Sequence, residues 1–419
     1  MSRPDRIVIV NDYSSHQGGA GYLAGALAGG LAARGERVTA IVGDDGGDSA
    51  PTGAERIAFG GARLLEQSAA TAATRGIYNR DSAQQMRSWM AQNDTPRTLY
   101  HLHNWSNILS PSIFDALAPV AHRTVIHAHD YFLACPNGAY LDYGRAAVCN
   151  RTPLSLSCIT TRCDKRAHVH KLWRAARQAV LATRLAPHLK AATFVAIHPD
   201  MHPALRRAIE PGNLVTIRNP VSPFGPAVPA PEQQRGIVHI GQVQRLKGVY
   251  ELAQAGHTLG LRVDFYGTGE DLADLQSRFP CHRYHGWTDR TALAQHLQQA
   301  RVVVVGSQSP EPFCLAAFEA AATGVPLVVS DAILAARELT QAGVALPFAA
   351  GNADDLTRVL GRVMRDDDQM AALGRAARMV GPALGHGMDG WIDSHLALYR
   401  HVLRPAARET VPIENLAPA

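Results

Sequence analysis

Short runs of aliphatic and β-branched residues recur along the chain, each followed by a stretch whose apolar residues return at helical spacing. Residues 6–10 read as a buried strand, 22–34 as a helix closed by Gly35, and 37–42 as the next strand. Further strands are predicted at 98–102, 123–127 and 193–197. The alternation stops at 219–231, where five prolines fall in thirteen residues. Proline removes a backbone donor and fixes φ, so this stretch is predicted to join neither a helix nor a central sheet. The alternation resumes with strands at 236–240, 262–266, 301–305 and 326–330 and ends in a helix at 391–403. Strands alternating with helices build parallel sheets, because a parallel crossover needs a long connection. The chain therefore reads as α/β, with two doubly wound domains, 1–219 and 236–390, joined by a linker at 220–235. Ligands of such sheets sit beyond the carboxyl ends of the strands, which places the chemistry at a cleft where the two domains face.

Composition narrows the class. A length of 419 residues suits two domains, and 46% apolar with 18% charged residues excludes a disordered chain. The net charge of +5 is too mild to imply a nucleic-acid partner. No apolar run approaches the length of a membrane span and no apolar leader precedes the first strand, so a cytoplasmic protein is expected.

The strongest local signal runs from Gly306 through Glu311-Pro-Phe-Cys-Leu-Ala-Ala-Phe-Glu319. A buried strand ends in a loop, and a helix is expected to open near Pro312 with its free N–H groups forming an anion site. A carboxylate two turns inside an apolar helix, Glu319, needs a partner; a ribose diol or an arginine would each serve. Two glutamates seven residues apart in this context resemble the donor motif of the retaining glycosyltransferases of family 4. That resemblance implies the GT-B fold of two Rossmann-like domains, with Glu311 on the transferred sugar and Glu319 on the nucleotide ribose. Where that family usually has Gly, this chain has Cys314, whose backbone N–H remains able to donate; Phe313 and Leu315 flank it at the donor.

His239-Ile-Gly-Gln-Val-Gln-Arg-Leu-Lys-Gly248 resembles the family's diphosphate-bracing loop. Lys247 takes the lysine position, Gln242 stands at the arginine position, and Arg245 is expected to supply the missing charge, since a departing diphosphate needs cations. Gly18 and Gly19 fit the family's glycine pair at the donor. A dinucleotide fold is the rival reading of these glycines, but its first Gly follows the strand directly, whereas Asn11 to Gln17 intervene here. His129-Asp130, at the end of a strand, resembles the pair beside the reacting carbon. His127 is expected to be a packed neighbour, and His101 and His103 form a second motif at a strand end. Gly267 and Glu270 match the loop beside the nucleotide base, and 391–405 resembles the helix that crosses back onto the first domain.

Retention is then expected by same-face attack, with the leaving phosphate oxygen taking the acceptor proton. No Asp-x-Asp pair follows a strand, so catalysis is expected to need no metal cofactor. Cys135, Cys149, Cys158 and Cys163 cluster within 29 residues, and structural zinc is expected there, with unpaired thiols and disulfides as the alternatives. From Arg162 to Lys190, eight basic residues stand against one Asp, a local +7. That segment is read either as a solvated helix or as a surface for anionic membrane, making the protein peripheral on the inner face of the cell membrane. The expectation is a glycosyltransferase using a UDP- or GDP-sugar on a glycan or lipid-linked acceptor. A sugar-nucleotide epimerase and a non-catalytic nucleotide-sugar-binding protein are the alternatives.

Overall fold

The structure is a computed structural model that describes residues 3–14, 18–47, 53–207 and 213–404. The chain divides into two compact units, residues 1–139, 150–218 and 389–419 in one, 140–149 and 219–388 in the other.

The first unit is built on a seven-stranded parallel sheet: β1 (Arg6–Asn11), β2 (Val38–Val42), β3 (Glu55–Ala58), β4 (Thr98–Leu102), β5 (Thr124–Ala128), β8 (Thr193–Ala196) and β9 (Asn213–Thr216), in the order β3-β2-β1-β4-β5-β8-β9. Along the chain between β5 and β8 comes a small antiparallel pair, β6 (Leu141–Asp142) and β7 (Ala147–Val148), which groups with the second unit. β1, β2, β4 and β5 are buried along their whole length, as strands covered by helices on both faces must be. The helix Met388–Val402 belongs with this unit from residue 389 on; Trp391 and Tyr399 are fully buried, and Asp389 and Asp393 hold Arg34 at 2.9 and 2.6 Å.

The second unit carries six parallel strands: β10 (Gly236–Ile240), β11 (Val263–Tyr266), β12 (Arg283–Gly286), β13 (Ala300–Val305), β14 (Leu327–Ser330) and β15 (Ala345–Phe348), in the order β12-β11-β10-β13-β14-β15. Its core gathers Ile237, Val263, Phe265, Val302, Val304 and Val328 from the sheet with Leu252, Leu356 and Leu360 from the covering helices. The proline-rich stretch packs on this unit. Val221 N–H donates to His386 O at 2.7 Å, Phe224 N–H to Thr323 Oγ1 at 2.9 Å and Val228 N–H to Thr323 O at 2.8 Å.

The strands absent from the sequence reading include β3, β9, β12 and β15, which are the outermost strands of the two sheets. An edge strand is covered less completely, so β3 and β12 carry the polar residues Glu55, Arg56, Arg283 and His285 and lack a continuous apolar run. A second difference concerns the helix expected from Pro312. It spans Leu315–Ala322, with Cys314 at its N-cap in a non-helical conformation, because Phe313 turns inward to stack on Phe318 at 4.4 Å. Glu311 and Pro312 thus lie in the preceding loop, and Glu319 sits about one turn into the helix rather than two.

Candidate functional site

In the second unit the loops after β10, β11 and β13 pack backbone against backbone. Gly267 has φ 140°, and a Cβ there would run into the carbonyl of Gly241; Gly248 has φ 71°, and a Cβ would strike the carbonyl of Gly306. Only glycine accepts both the conformation and the approach. Gly241 N–H donates to Tyr266 O at 2.9 Å and Gln308 N–H to Leu246 O at 2.8 Å, which ties the three loops together.

This packing brings Lys247 to Glu311: Nζ to Oε2 is 2.7 Å, and Ser307 Oγ donates to the same oxygen at 2.7 Å. Burial works against the charge of Lys247, but the Glu311 carboxylate outweighs it and holds the ammonium above its ordinary pKa. Lys247 is therefore charged at neutral pH. Arg245 points elsewhere: its guanidinium lies 4.2 Å over the Tyr250 ring while its backbone N–H donates to Asp271 Oδ2 at 2.7 Å. Cys314 is buried, and desolvation with Glu311 nearby pushes its thiol up to about 12. Phe313 and Cys314 are core side chains, so they leave only backbone for a ligand, whereas Leu315 is half-buried. Gly267 and the exposed Glu270 follow β11.

Glu319 has an arginine partner. Arg290 Nη1 donates to Oε1 at 2.9 Å, and the same guanidinium binds the carbonyls of Ser222 and Pro223 and lies 4.9 Å over the Phe224 ring. Burial raises the Glu319 pKa, and Arg290 opposes the rise.

In the first unit Gly18 and Gly19 open the helix Gly18–Ala33; residues 15–17 of the preceding loop lie outside the described residues. Alternation along β4 and β5 sends His101, His103, His127 and His129 to one side of the sheet. His101 and His127 form a nearly coplanar pair, nitrogen to nitrogen 3.2 Å, and His103 with His129 forms another at 2.9 Å. Between the pairs His127 stacks on His129 and His101 lies tilted against His103, ring centroids 4.2 Å apart in both contacts. Tyr399 OH meets His101 Nδ1 at 2.7 Å, and His395 adds a fifth ring at 5.5 and 5.6 Å from His101 and His127. Desolvation, with the neighbouring rings, holds His101, His103 and His127 well below the ordinary value and His129 down to about 3. Desolvation raises Asp130 to about 6; its Oδ1 accepts from Phe132 N–H at 2.8 Å.

Two residues of this region escaped the sequence reading. Asp12, fully buried directly after β1, accepts from the N–H groups of Asn107, Ile108 and Leu109 at 2.8 to 3.0 Å. Arg177, also buried, donates to Ser106 O at 2.9 Å among Trp105, Phe132 and Trp173. A charge directly after a buried strand was a legible signal for Asp12; Arg177 was hidden in a basic helix. Of the basic residues at 162–190, Lys171 and Arg177 face inward and Arg174 pairs with Asp164 at 3.1 Å, while Lys165, Arg166 and Lys190 are exposed. Among the described residues no helix is long and apolar enough to cross a membrane.

Residues 226–380 match the sequence profile of the family described as glycosyl transferases group 1. No individual curated protein matches the chain. Among solved structures, sucrose-phosphate synthase from Thermosynechococcus elongatus is similar at TM-score 0.70 and 16% identity, covering 95% of this chain and 99% of that one. HepE of Anabaena, solved in complex with UDP, gives 0.66 and 14% over 94% and 99%. WaaG, a glycosyltransferase involved in lipopolysaccharide biosynthesis, gives 0.65 and 13% over 94% and 99%. The two parallel sheets and these likenesses give the chain the GT-B fold, and the segment matched by the glycosyl transferases group 1 profile lies in its second unit.

Proposed function

We propose that the protein transfers a sugar, with retention, from a nucleotide-sugar donor to a hydroxyl acceptor of a glycan or lipid-linked glycan. The observation that carries this reading is the Lys247–Glu311–Ser307 contact at the carboxyl ends of β10 and β13, where an open α/β sheet binds ligands. Lys247 then neutralises the diphosphate as it leaves, Glu311 orients the sugar hydroxyls, and Glu319 takes the ribose. The acceptor oxygen attacks the anomeric carbon on the face from which the phosphate oxygen departs; the C–O bond to phosphate breaks, and that oxygen takes the acceptor proton. No charged base is required of His129, which burial holds down to about 3 and so keeps neutral. The titles of the HepE structures name UDP and UDP-glucose, which favours a uridine donor here. Lys165 and Arg166, exposed beside the exposed Val169 and Leu172, favour an anionic membrane as the place of the acceptor.

Thermal stabilisation by UDP, GDP, ADP and CMP in parallel tests the donor site: one nucleoside diphosphate stands out, and Glu319→Ala abolishes its shift. Equal or absent shifts overturn the reading. The anomeric configuration of the product, read by NMR, decides retention, and product formation without acceptor would indicate the epimerase.

A further inference from the structure

Cys135, Cys149, Cys158 and Cys163 do not come together as a metal-ligand group among the described residues; Lys171 Nζ lies 3.3 Å from the sulfurs of Cys158 and Cys163. A different feature, a polar groove, lies wholly in the second unit. There β10, β11 and β12 turn Ile237, Val263, Phe265 and Tyr284 to the core. Side chains alternate along a strand, so the residues between them lie on the opposite face. Parallel sheets are covered by helices on both faces, and outside that core the helix Leu315–Ala322 packs on β13 and β14. Over β10 to β12 the sheet instead opens into a groove of about 680 Å³, which the helix Arg290–Leu297 reaches only with His296.

The floor of this groove is polar where a covered sheet would be aliphatic. Asp264 and Tyr266 come from β11, Arg283 and His285 from β12, and Val238 from β10 is the one aliphatic side chain. The Tyr266 and His285 rings stack at 4.3 Å with 6° between their planes, and His296 lies 5.2 and 5.4 Å from them. Asp264 Oδ1 meets His285 Nε2 at 2.8 Å and Arg283 Nη1 at 4.0 Å. Arg235 and Arg262, just ahead of β10 and β11, complete the charged lining; both are exposed, and among the described residues neither has an ion pair. All three arginines stand at the amino ends of their strands, whereas Lys247 and Gly267 follow the carboxyl ends.

Histidines apart, three guanidiniums against one carboxylate leave the groove a charge of +2. Like charges gathered on one low-dielectric surface repel, and an anion of matching charge relieves them. A carboxylate brings one charge; a phosphate brings nearly two, and its oxygens fit the guanidinium fork. The volume is that of a small-molecule site, and the amides of Gln233, Gln234 and Gln299 suit a polar body. With Val238 its one aliphatic residue, the groove gives an acyl chain no seat.

We propose that this groove binds a phosphate dianion, free or as the monoester of a small polar molecule, through Arg235, Arg262 and Arg283. The site is separate from the Lys247–Glu311 contact, and the proposal is independent of the transfer reaction.

Full-length protein is titrated calorimetrically, at constant ionic strength, with inorganic phosphate, with glycerol phosphate and with chloride. Saturable binding of about one phosphate per chain is expected, and none of chloride. Arg235→Gln and Arg262→Gln should each weaken it about 10–100-fold, since each removes a charge-assisted hydrogen bond. Arg358→Gln, at an exposed arginine elsewhere in the unit, should leave it unchanged. Tighter binding of glycerol phosphate assigns the groove to a monoester, and equal binding assigns it to phosphate itself. Without phosphate both groove variants should keep the wild-type thermal midpoint, which separates lost binding from lost folding. Absence of saturable binding overturns the proposal. So does binding that survives in both groove variants but is lost in Lys247→Met, which would put the anion at the carboxyl ends of the strands.

Discussion

Lys247 and Glu311 meet at 2.7 Å, ammonium to carboxylate, although one follows β10 and the other β13. The contact exists because Gly248 lets the first loop lie against the backbone of Gly306 at the end of β13. A salt bridge at the strand ends of this α/β sheet is thus a product of loop packing.

Replacing Lys247 by Met keeps the aliphatic stem and removes the charge. Transfer should fall about 10²–10³-fold, in kcat more than in KM, because the charge acts on the leaving diphosphate. Steady-state kinetics with saturating acceptor measures this, and a wild-type kcat would contradict the assignment of Lys247.

Arg290 and Glu319 should give opposite results. The guanidinium occupies Glu319 Oε1, the oxygen a ribose diol would use. Arg290→Gln should tighten nucleoside diphosphate binding severalfold by removing that competitor, and Glu319→Gln should weaken it. Isothermal titration of both variants decides; if both weaken binding, Arg290 orients the carboxylate for the ligand instead of competing with it.

Acid should destabilise the first unit. His101, His103, His127 and His129 have folded pKa values below their ordinary 6.5, so the unfolded chain binds more protons across that window. Their stabilisation is complete above 6.5 and is lost as pH falls below it, through about 3 for His129. Asp130, raised from 3.8 to about 6, and Asp12, also raised, oppose this, because the folded state holds their protons longer. Tyr399, His395 and Arg177 complete the charged and titratable surroundings. Four histidines outnumber two carboxyls, each group contributing up to about 1.4 kcal/mol per pH unit. Urea midpoints at about pH 7 and about pH 5 should therefore show a clear loss at the lower value.

Gly267→Ala should disable the second unit's ligand end without touching a charged group. Its φ of 140° is foreign to alanine, and the added Cβ meets the Gly241 carbonyl. A lower thermal midpoint with loss of nucleotide stabilisation is expected. An unchanged nucleotide shift would show that the loops after β10 and β11 tolerate separation.

Legibility along the chain followed burial. Each outer strand of the two sheets was missed; β3 and β12 carry polar residues on the face they leave uncovered, and β15 is interrupted by Pro347. Lys247, Glu311 and Glu319 were legible as motif positions, whereas Ser307 and Arg290, which bind those carboxylates, were not. Arg290 stands 29 residues from Glu319 at the start of another helix, and no local spacing connects them. The basic run at 162–190 was legible as charge, but its local pattern did not show that Lys171 and Arg177 turn inward.

Buried central strands, helix periods and glycine-marked turns were set by the sequence alone, because the solvent-exclusion pattern and backbone sterics act over a few residues. Which charge meets which was decided only by the tertiary structure. The pairs Lys247–Glu311 and Arg290–Glu319 and the stacked histidines of β4 and β5 depend on loops and strands distant in sequence. Electrostatic and hydrogen-bond partners are chosen by proximity in space, and proximity in space exists only after the sheets have assembled.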